Sequence, residues 1–459
     1  MPHGTDSTPS LARTLRLRAV VLFGLAYMTP LIVLGTFGVV AHTTGGSVPT
    51  AYLLALLAML FTAHSYGRMA ATYPVAGSAY TYVRQAVDSR LGFLVGWTTL
   101  LDYFFLPMVI WLIGGAYLQA QFPGVPFWVW ILGFIAVTTA LNIRGIRTAE
   151  RVNDLLMVFQ VLVIGIFVLL SLRHVFDIGG AGALVSTEPF ANSVTTAAGI
   201  SAGAAIAAYS FLGFDAVTTL TEETIDPKRT MPRAILLTAL IGGGIFVVVA
   251  YTTQLAHPGS SFDDPSSAAF EIAGTIGGDL FSSVFLAGLV VAQFASGIAA
   301  QASTSRLLFA MGRDGALPRR FFARVHPRYR TPALNILLTG AVGLVALRLD
   351  VATSTSFINF GAFVAFTFVN VAVLATYVRE RRAGRHLNPL AYAVAPAIGA
   401  GVDVYLLANL DGKALTLGLL WLALGVAYLA YLTRMFRVPP PETAFSDDAP
   451  DAEMATPAH

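Results

Sequence analysis

Long apolar stretches separated by short polar segments fill the chain from about residue 17 to residue 440. A helix needs about 20 mostly apolar residues to cross the hydrocarbon layer of a bilayer. About twelve stretches come close to or exceed this length, and each is predicted to be a membrane-spanning helix. Their predicted bounds are residues 18–41, 47–69, 91–119, 126–141, 153–172, 194–219, 233–255, 279–308, 331–347, 354–377, 390–410 and 415–431.

Composition agrees with this pattern. Of the 459 residues, 56% are hydrophobic and only 12% are charged, and the mean hydropathy is +0.70. Soluble domains carry about 25% charged residues. The chain is therefore predicted to be an all-α integral membrane protein without an aqueous domain. Cysteine is absent, which excludes disulfides and thiolate metal sites.

The distribution of charge predicts the orientation. Only Arg173, Arg348 and Lys413, out of 28 Lys and Arg residues, fall in loops on one side of the predicted spans. Because basic loops stay in the cytoplasm, both termini are expected there, with the protein in the cell membrane. The polar tails 1–16 and 439–459 are expected to be disordered. The opposite side is acidic, which either concentrates cations or only reflects the lack of basic residues.

Two spans contain residues that interrupt a helix. Pro30 lies in the middle of the first span, and Gly213 and Asp215 lie in the middle of the sixth. Proline removes a backbone donor and glycine weakens a helix, so each span is predicted to be two half-helices joined by unwound chain. Breaks five spans apart are typical of transporters with inverted repeats, although either residue alone could only kink its helix. The predicted repeats are 17–175 and 176–380, followed by two further helices in 381–438.

Placing Asp215 in the middle of a membrane span costs free energy. An aspartate at the centre of a membrane helix costs about 2.5 to 3.5 kcal/mol, so such a residue normally faces a partner or a water-filled cavity. Free carbonyls and aromatic faces nearby would suit an ammonium group. We therefore predict a substrate site in the sixth span. Its members are Tyr209, Ser210, Phe211, Gly213 and Asp215. The alternative for Asp215 is a helix cap that never meets substrate.

Other spans offer further candidates. Tyr27 and Thr29 flank the first break, where they bind substrate or simply pack against neighbouring helices. Asp102 and Tyr103 are adjacent in the third span and point about 100° apart, so one of them is expected to face the pathway. The alternative for this pair is an ion pair or a hydrogen bond between helices. Asp403 in the eleventh span is expected to have a structural partner or to reach a helix end.

Several motifs carry a family resemblance. They are GSAYTYVRQ at 77–85, YSFLGFDAVTTLTEET at 209–224 with DPKRTMPRAI behind it, and SRLLFAMGRDGALP at 305–318 with RTPALN at 330–335. Together they resemble the amino acid, polyamine and organocation (APC) transporter superfamily, and within it the bacterial putrescine importers, over nearly the whole apolar chain. The resemblance implies a LeuT-like fold of five plus five inverted helices with two added helices. It also implies uptake of a small amine.

Two features of the first span bear on the substrate. The resemblance implies an acid near the position of Gly35, which this chain lacks, so a preference for putrescine over a monoamine or another polyamine is open. Relatives that carry amino acids have small residues at the first break, whose amides hold the substrate carboxylate. This chain has the bulky Leu31, Ile32 and Val33 instead, which favours an amine over an amino acid.

A charge cluster follows the sixth span. Glu222 and Glu223 are expected near its cytoplasmic end, with Arg229 and Arg233 just beyond. These residues are either a solvated helix end or a cytoplasmic gate whose ion pairs break when the site faces inward. In the eighth span, Gln301 and its polar neighbours line the path or join helices.

The predicted function is import of a small amine by a secondary transporter working by alternating access. Proton coupling is expected, although relatives place a Lys in the fifth span and this chain has none there, and sodium stays open. An amino acid permease or exchanger is the main alternative, and a cation channel or a non-transporting sensor ranks lower. No cofactor and no nucleic acid partner is expected. No enzyme motif such as HExxH or a Walker-type loop occurs, so an enzyme is not expected.

Overall fold

The computed structural model describes residues 13–74, 79–144, 150–221, 223–313, 317–329 and 331–440, with the backbone alone for 150–156 and 310. Helices dominate this part of the chain. They are α1 (Leu17–Met28), α2 (Ile32–Thr44), α3 (Val48–Thr72), α4 (Ala79–Ala86), α5 (Ser89–Gln121), α6 (Phe127–Arg144), α7 (Glu150–Ala183), α8 (Ala197–Ala207), α9 (Pro227–Ala256), α10 (Ala268–Arg313), α11 (Arg319–Phe322), α12 (Ala333–Gly343), α13 (Val351–Arg382), α14 (Ala395–Ala408) and α15 (Gly412–Leu432).

The predicted spans are confirmed as helices. Among the described residues, ten helical stretches are long and apolar enough to cross a membrane, or eleven if the bent pair α1 and α2 counts as one span. The predicted ninth span is a shorter apolar helix, Ala333–Leu347. The protein is therefore an all-α membrane protein whose first and sixth spans are interrupted. The division into repeats at 175/176 and 380/381 stays a prediction.

The first break lies where Pro30 predicted it. Helix α1 ends at Met28, α2 begins at Ile32, and the two axes differ by 49°. Thr29 adopts a left-handed conformation with φ of 51°, which a helix interior does not tolerate. Its carbonyl accepts the Ile32 amide at 2.9 Å, so the chain turns once and re-enters a helix.

The sixth span differs from the prediction in its second half. After α8, the chain forms two 3-10 turns, Ala208–Phe211 and Ala216–Leu220, instead of a second α-helix. Between them Gly213 has φ of 106°, which favours glycine. Thr218 and Thr219 donate their hydroxyls to carbonyls three residues earlier, each at 2.7 Å. Such bonds compete with regular helix and support the tighter turn.

Several acids at the predicted outer side serve as helix caps. The carboxylates of Asp264, Asp350 and Asp411 accept backbone amides at the start of the elements that follow them. An N-cap acid satisfies amides that a helix leaves unpaired. These residues therefore have a structural reason to be acidic.

The central helices pack around the sixth span. Helix α3 lies along α9, and α5 contacts both α10 and α13. The last span, α15, is fixed to α5 by a reciprocal pair, because the indoles of Trp97 and Trp421 each donate to the other residue's carbonyl at 2.9 Å. Helix α8 of the sixth span packs against α2 and α3, so the sixth span lies within the bundle.

Candidate functional site

Two carboxylates line one cavity in the middle of the bundle. Asp102 comes from α5, and Asp215 comes from the break in the sixth span. The cavity is narrow in this conformation, with a volume of about 10 Å³, which is room for about one water molecule. The lining residues are Tyr66, Ala79, Thr99, Asp102, Asp215, Ala362, Ala365 and Phe366. None of these eight is basic, so the cavity holds two acids and no internal cation.

Asp215 occupies the N-cap position of the 3-10 turn Ala216–Leu220 but makes no capping hydrogen bond with its side chain. Its carboxylate lies close to the backbone of Gly213 and Ala216. The buried hydroxyl of Tyr66 also lies close enough to interact with this carboxylate, without a hydrogen bond of good geometry. The carboxylate therefore keeps capacity to accept a bond from a ligand.

Asp102 reaches the cavity because α5 and α13 approach closely. Gly361 of α13 lies against the backbone of α5, where an added Cβ would stand 2.4 Å from the Thr98 carbonyl oxygen. Within the described part of the chain, the buried Oδ1 atom of Asp102 has no hydrogen-bond partner. A buried carboxyl oxygen without a partner is costly, so this group needs either a proton or a cationic ligand.

A proline fixes the neighbouring stretch of α5. Pro107 lacks an amide hydrogen and so leaves the carbonyl of Tyr103 without its helical partner. The hydroxyl of Thr304 in α10 lies 2.5 Å from that carbonyl oxygen. Tyr103 thereby joins α5 to α10 through its backbone, whereas its neighbour Asp102 faces the cavity.

Aromatic rings form one wall of the site. Tyr66 lies edge-on to Phe214 at 5.8 Å between ring centroids, and to Phe366 at 5.9 Å. Tyr82, from the AYTYV part of the first motif, packs edge-on to Tyr66 at 6.1 Å. Sequence reasoning missed Tyr66 and Phe366, which lie on helices without an unusual local pattern. Only Tyr82 carried a signal, because its motif supported the family resemblance.

The two breaks meet at Gly213. An added Cβ there would stand 2.2 Å from the Tyr27 ring, so the glycine is needed both for its φ and for this contact. Tyr27 itself is 37% exposed. The buried Tyr209 lies within electrostatic range of Asp102. Tyr27, Gly213 and Tyr209 therefore lie near the acids without lining the cavity, and their contact with substrate stays a prediction.

Ser210 and Phe211 face other helices. Ser210 shares a hydrogen bond of 2.9 Å with the Tyr52 hydroxyl, which lies 3.2 Å from the Thr36 hydroxyl. Phe211 is fully buried and packs edge-on against Phe246 of α9 at 5.2 Å. Neither residue lines the cavity, and both attach the sixth span to its neighbours.

The first break presents little free backbone. Thr29 forms the turn, and Leu31 and Val33 are buried beside it. The amides of Ile32 and Leu34 are taken by the carbonyls of Thr29 and Leu31, at 2.9 and 3.1 Å. These two amides are therefore not free to bind an anion, and the side chains around them are apolar.

The structure describes three of the four residues that are predicted to form a gate. Glu222 lies outside the described residues. Glu223 uses its backbone carbonyl to accept the amides of Thr14 and Leu15, at 2.9 and 3.0 Å, which ties the segment before α1 to the segment after the sixth span. Arg229 pairs with Asp226 at 3.8 Å on the surface, and Arg233 is exposed. The gating role of these residues stays a prediction.

In the eighth span, Gln301 joins helices. Its amide nitrogen donates to Thr139 of α6 at 2.8 Å, and its oxygen accepts from Asn142 of the same helix at 2.9 Å. A further bond of 3.2 Å reaches the carbonyl of Ile336 in α12. Gln301 is therefore fully engaged in helix contacts.

A membrane bundle with two interrupted spans and a cavity lined by two acids is typical of a transporter. The family model for amino acid permeases matches residues 19–400. The chain belongs to this family, within the APC superfamily.

Individual relatives narrow the comparison. The low-affinity putrescine importer PlaP of Escherichia coli K12 is 43% identical over 447 residues, which cover 96% of this chain and 99% of the relative. The methylthioribose transporter of Bacillus subtilis is 26% identical over 93% of this chain and 95% of the relative. The branched-chain amino acid permease BcaP of the same organism is 24% identical over 93% and 94%. All three are named as transporters or permeases, so the chain is a transporter and not an enzyme.

Proposed function

We propose that this protein imports a small organic diamine, with putrescine as the preferred substrate, across the cell membrane. The observation that carries this proposal is the pair of carboxylates, Asp102 and Asp215, that line one cavity without a basic residue among its lining. A diamine supplies two ammonium groups and would neutralise both acids. The 43% identical relative is named a putrescine importer, which agrees with this substrate class.

The chemistry of the walls supports an amine. Charge-assisted hydrogen bonds to a carboxylate are worth about 1.5 to 3 kcal/mol each. The rings of Tyr66 and Phe366 offer faces for cation-π attraction of about 0.5 to 2 kcal/mol. The alanines of α13, Ala362 and Ala365, leave an apolar surface for a methylene chain. An alkyl diamine matches both kinds of wall, because its charged ends suit the acids and the aromatic rings and its methylene chain suits the alanines.

The presence of a second acid in the cavity supports a diamine substrate although position 35 is a glycine. The position of Gly35 is apolar, because an added Cβ there would contact Ile32 and Ile113 at 3.4 Å. Asp102, on a different helix, lines the cavity with Asp215 instead. A second ammonium group therefore has a carboxylate to bind although the first span carries none.

The first break is a poor match for a substrate carboxylate. Its side chains are apolar, and the amides of Ile32 and Leu34 are already paired. A zwitterionic amino acid would also bring its anion into a cavity that already holds two acids. Both arguments favour a diamine over an amino acid.

Transport proceeds by alternating access between the two breaks, with both termini in the cytoplasm and the charged residues after the sixth span forming the inner gate. Each positive charge that enters gains about 2.3 kcal/mol per 100 mV of inside-negative potential, so a dication is strongly favoured for import. A coupled proton is the proposed second driving force.

Competition in proteoliposomes tests the substrate. The purified protein is reconstituted, the vesicles are preloaded with unlabelled putrescine, and counterflow of labelled putrescine is measured against cadaverine, spermidine, agmatine, ornithine and leucine. We expect saturable counterflow that diamines inhibit best. Stronger inhibition by ornithine or leucine than by every amine would replace the diamine by an amino acid, and non-saturable flux would indicate a channel.

A further inference from the structure

A third buried acid lies behind the cavity. Asp403 in α14 has 0% of its surface exposed. Helix α14 packs there against α3 and α13, the two helices that carry the aromatic wall of the cavity. Asp403 does not line the cavity and has no part in the proposed substrate binding.

Only neutral groups bind Asp403. Its Oδ2 atom accepts the Thr62 hydroxyl at 2.9 Å and the Asn370 amide at 3.0 Å. Asn370 is held in turn by the Ser65 hydroxyl, at 2.5 Å from its Oδ1 atom. In the part of the chain that the structure describes, Oδ1 of Asp403 has no hydrogen-bond partner, and no Lys, Arg or His pairs with the carboxyl group.

This environment fits a carboxyl group that carries a proton. An ionised carboxylate buried without a counter-charge is so costly that it normally takes up a proton. A purely structural role would be filled more cheaply by asparagine, which accepts the same two bonds without a charge to neutralise. An acid at this position therefore has a property that asparagine lacks, namely a proton that it can release.

The titratable groups near Asp403 belong to the cavity and to α3. The hydroxyl of Tyr66 lies within electrostatic range of Asp403 and of both cavity acids, Asp102 and Asp215. On the other side, His64 of α3 contacts the carbonyl of Ala391 at 2.9 Å, in the turn that leads into α14. Arg68, the remaining charged group nearby on α3, lies 3.5 Å from His64 and 5.0 Å from the centre of the Tyr392 ring.

We propose that Asp403 is a proton-binding site that takes up and releases a proton during transport and so couples a pH gradient to the substrate cavity. Its signal reaches the cavity through α3, which bears Thr62 and Ser65 on the Asp403 side and Tyr66 in the cavity wall. Movement of α3 against α14 would change the hydrogen bonds to the carboxyl group and hence its affinity for the proton. The inference rests on the proposed transport of a diamine.

Two assays on the same proteoliposomes test it, with the membrane potential clamped to zero. The first measures putrescine counterflow at equal pH on both sides, and the second measures net putrescine uptake with and without a pH gradient. Asp403→Asn keeps an acceptor for Thr62 and Asn370 but cannot release a proton. We expect this variant to retain counterflow within about threefold and to lose the response to the pH gradient that the wild type shows.

Thr62→Val is the companion variant, because it removes one hydrogen bond but keeps the carboxyl group. It is expected to keep the gradient response and to move the pH at which uptake is half-maximal. A gradient response in Asp403→Asn equal to that of the wild type would overturn the proposal, as would a wild type that exchanges putrescine but ignores the gradient. Absence of counterflow in the wild type would instead contradict the proposed function, and the inference would fall with it.

Discussion

The two interrupted spans use the same backbone device for opposite chemical purposes. In the first span, Thr29 turns the chain and buried Leu31 and Val33 fill the break. In the sixth span, Gly213 turns the chain and Asp215 faces a cavity. An interrupted helix therefore does not by itself make a polar site, since the side chains at the break decide whether it binds charge.

The comparison also shows how charge is distributed between the halves of the molecule. The second cavity acid, Asp102, comes from the uninterrupted helix α5 and not from the first break. Under the proposed function, the apolar first break is expected to disfavour anionic substrate groups. Specificity for a diamine would arise from one acidic break, one apolar break and one acid on a continuous helix.

Removal of the charge at the acidic break should have the largest effect. Asp215→Asn loses a charge-assisted bond to an ammonium group, worth about 1.5 to 3 kcal/mol, which corresponds to a loss of about 10- to 100-fold in putrescine uptake at low substrate concentration. Uptake is measured in whole cells beside the amount of protein in the membrane. Asp177→Asn, an exposed acid on α7 that pairs at the surface with Arg173, is the control and should transport normally.

If Asp215→Asn transported putrescine like the wild type, the Asp215 carboxylate would not bind the substrate. The chemical difference between the two breaks would then not contribute to substrate recognition.

The acid on α5 should separate diamines from monoamines. Asp102→Asn is expected to lower putrescine transport by about tenfold, because one of two ammonium groups loses its charged partner. Inhibition by butylamine, which has the same chain length and one ammonium group, should change less than inhibition by putrescine. Competition against labelled putrescine measures both values. An equal loss for the two amines would indicate that Asp102 does not bind the second ammonium group.

The backbone of the acidic break should be intolerant of a side chain. Gly213→Ala places a Cβ on a residue with φ of 106° and 2.2 Å from the Tyr27 ring. Strain of this kind costs about 1 to 3 kcal/mol. We expect a lower melting temperature of the purified protein and several-fold less uptake. Gly244→Ala on α9, with open space around the added Cβ, is the control and should behave like the wild type.

A stable, fully active Gly213→Ala protein would show that the contact between the two breaks is not needed for the transport cycle.

The spans and the breaks were accessible from sequence, and the physical reason is simple. Long apolar stretches are required to cross a bilayer, and a proline and a glycine that each weaken a helix, placed five spans apart, match the two breaks of an inverted repeat. The form of the second half of the sixth span was less accessible. Its threonines bond to nearby carbonyls and hold a 3-10 turn, which is a local competition that an apolar pattern does not reveal.

The walls of the cavity depend on contacts between distant segments. Sequence reasoning could place Asp102 or Tyr103 on the pathway but could not choose between them, since the choice depends on how α5 is rotated against α13. Tyr66 and Phe366 were not found, because their importance comes only from packing beside Asp215. Conversely, Ser210 was grouped with Asp215 by proximity along the chain, whereas its hydroxyl faces Tyr52.

Ser210 provides the smallest expected effect and the finest test of the comparison. Its hydroxyl fastens the acidic break to α3 through Tyr52 at 2.9 Å and does not line the cavity. Ser210→Ala should therefore cost about 0.5 to 1.5 kcal/mol of stability, the value of one neutral hydrogen bond, and leave the ranking of competing amines unchanged. Thermal unfolding measures the loss of stability, and the competition assay measures the ranking of the amines. A changed ranking would mean that Ser210 contacts substrate in another state of the cycle, and the binding region of the acidic break would then extend beyond Asp215.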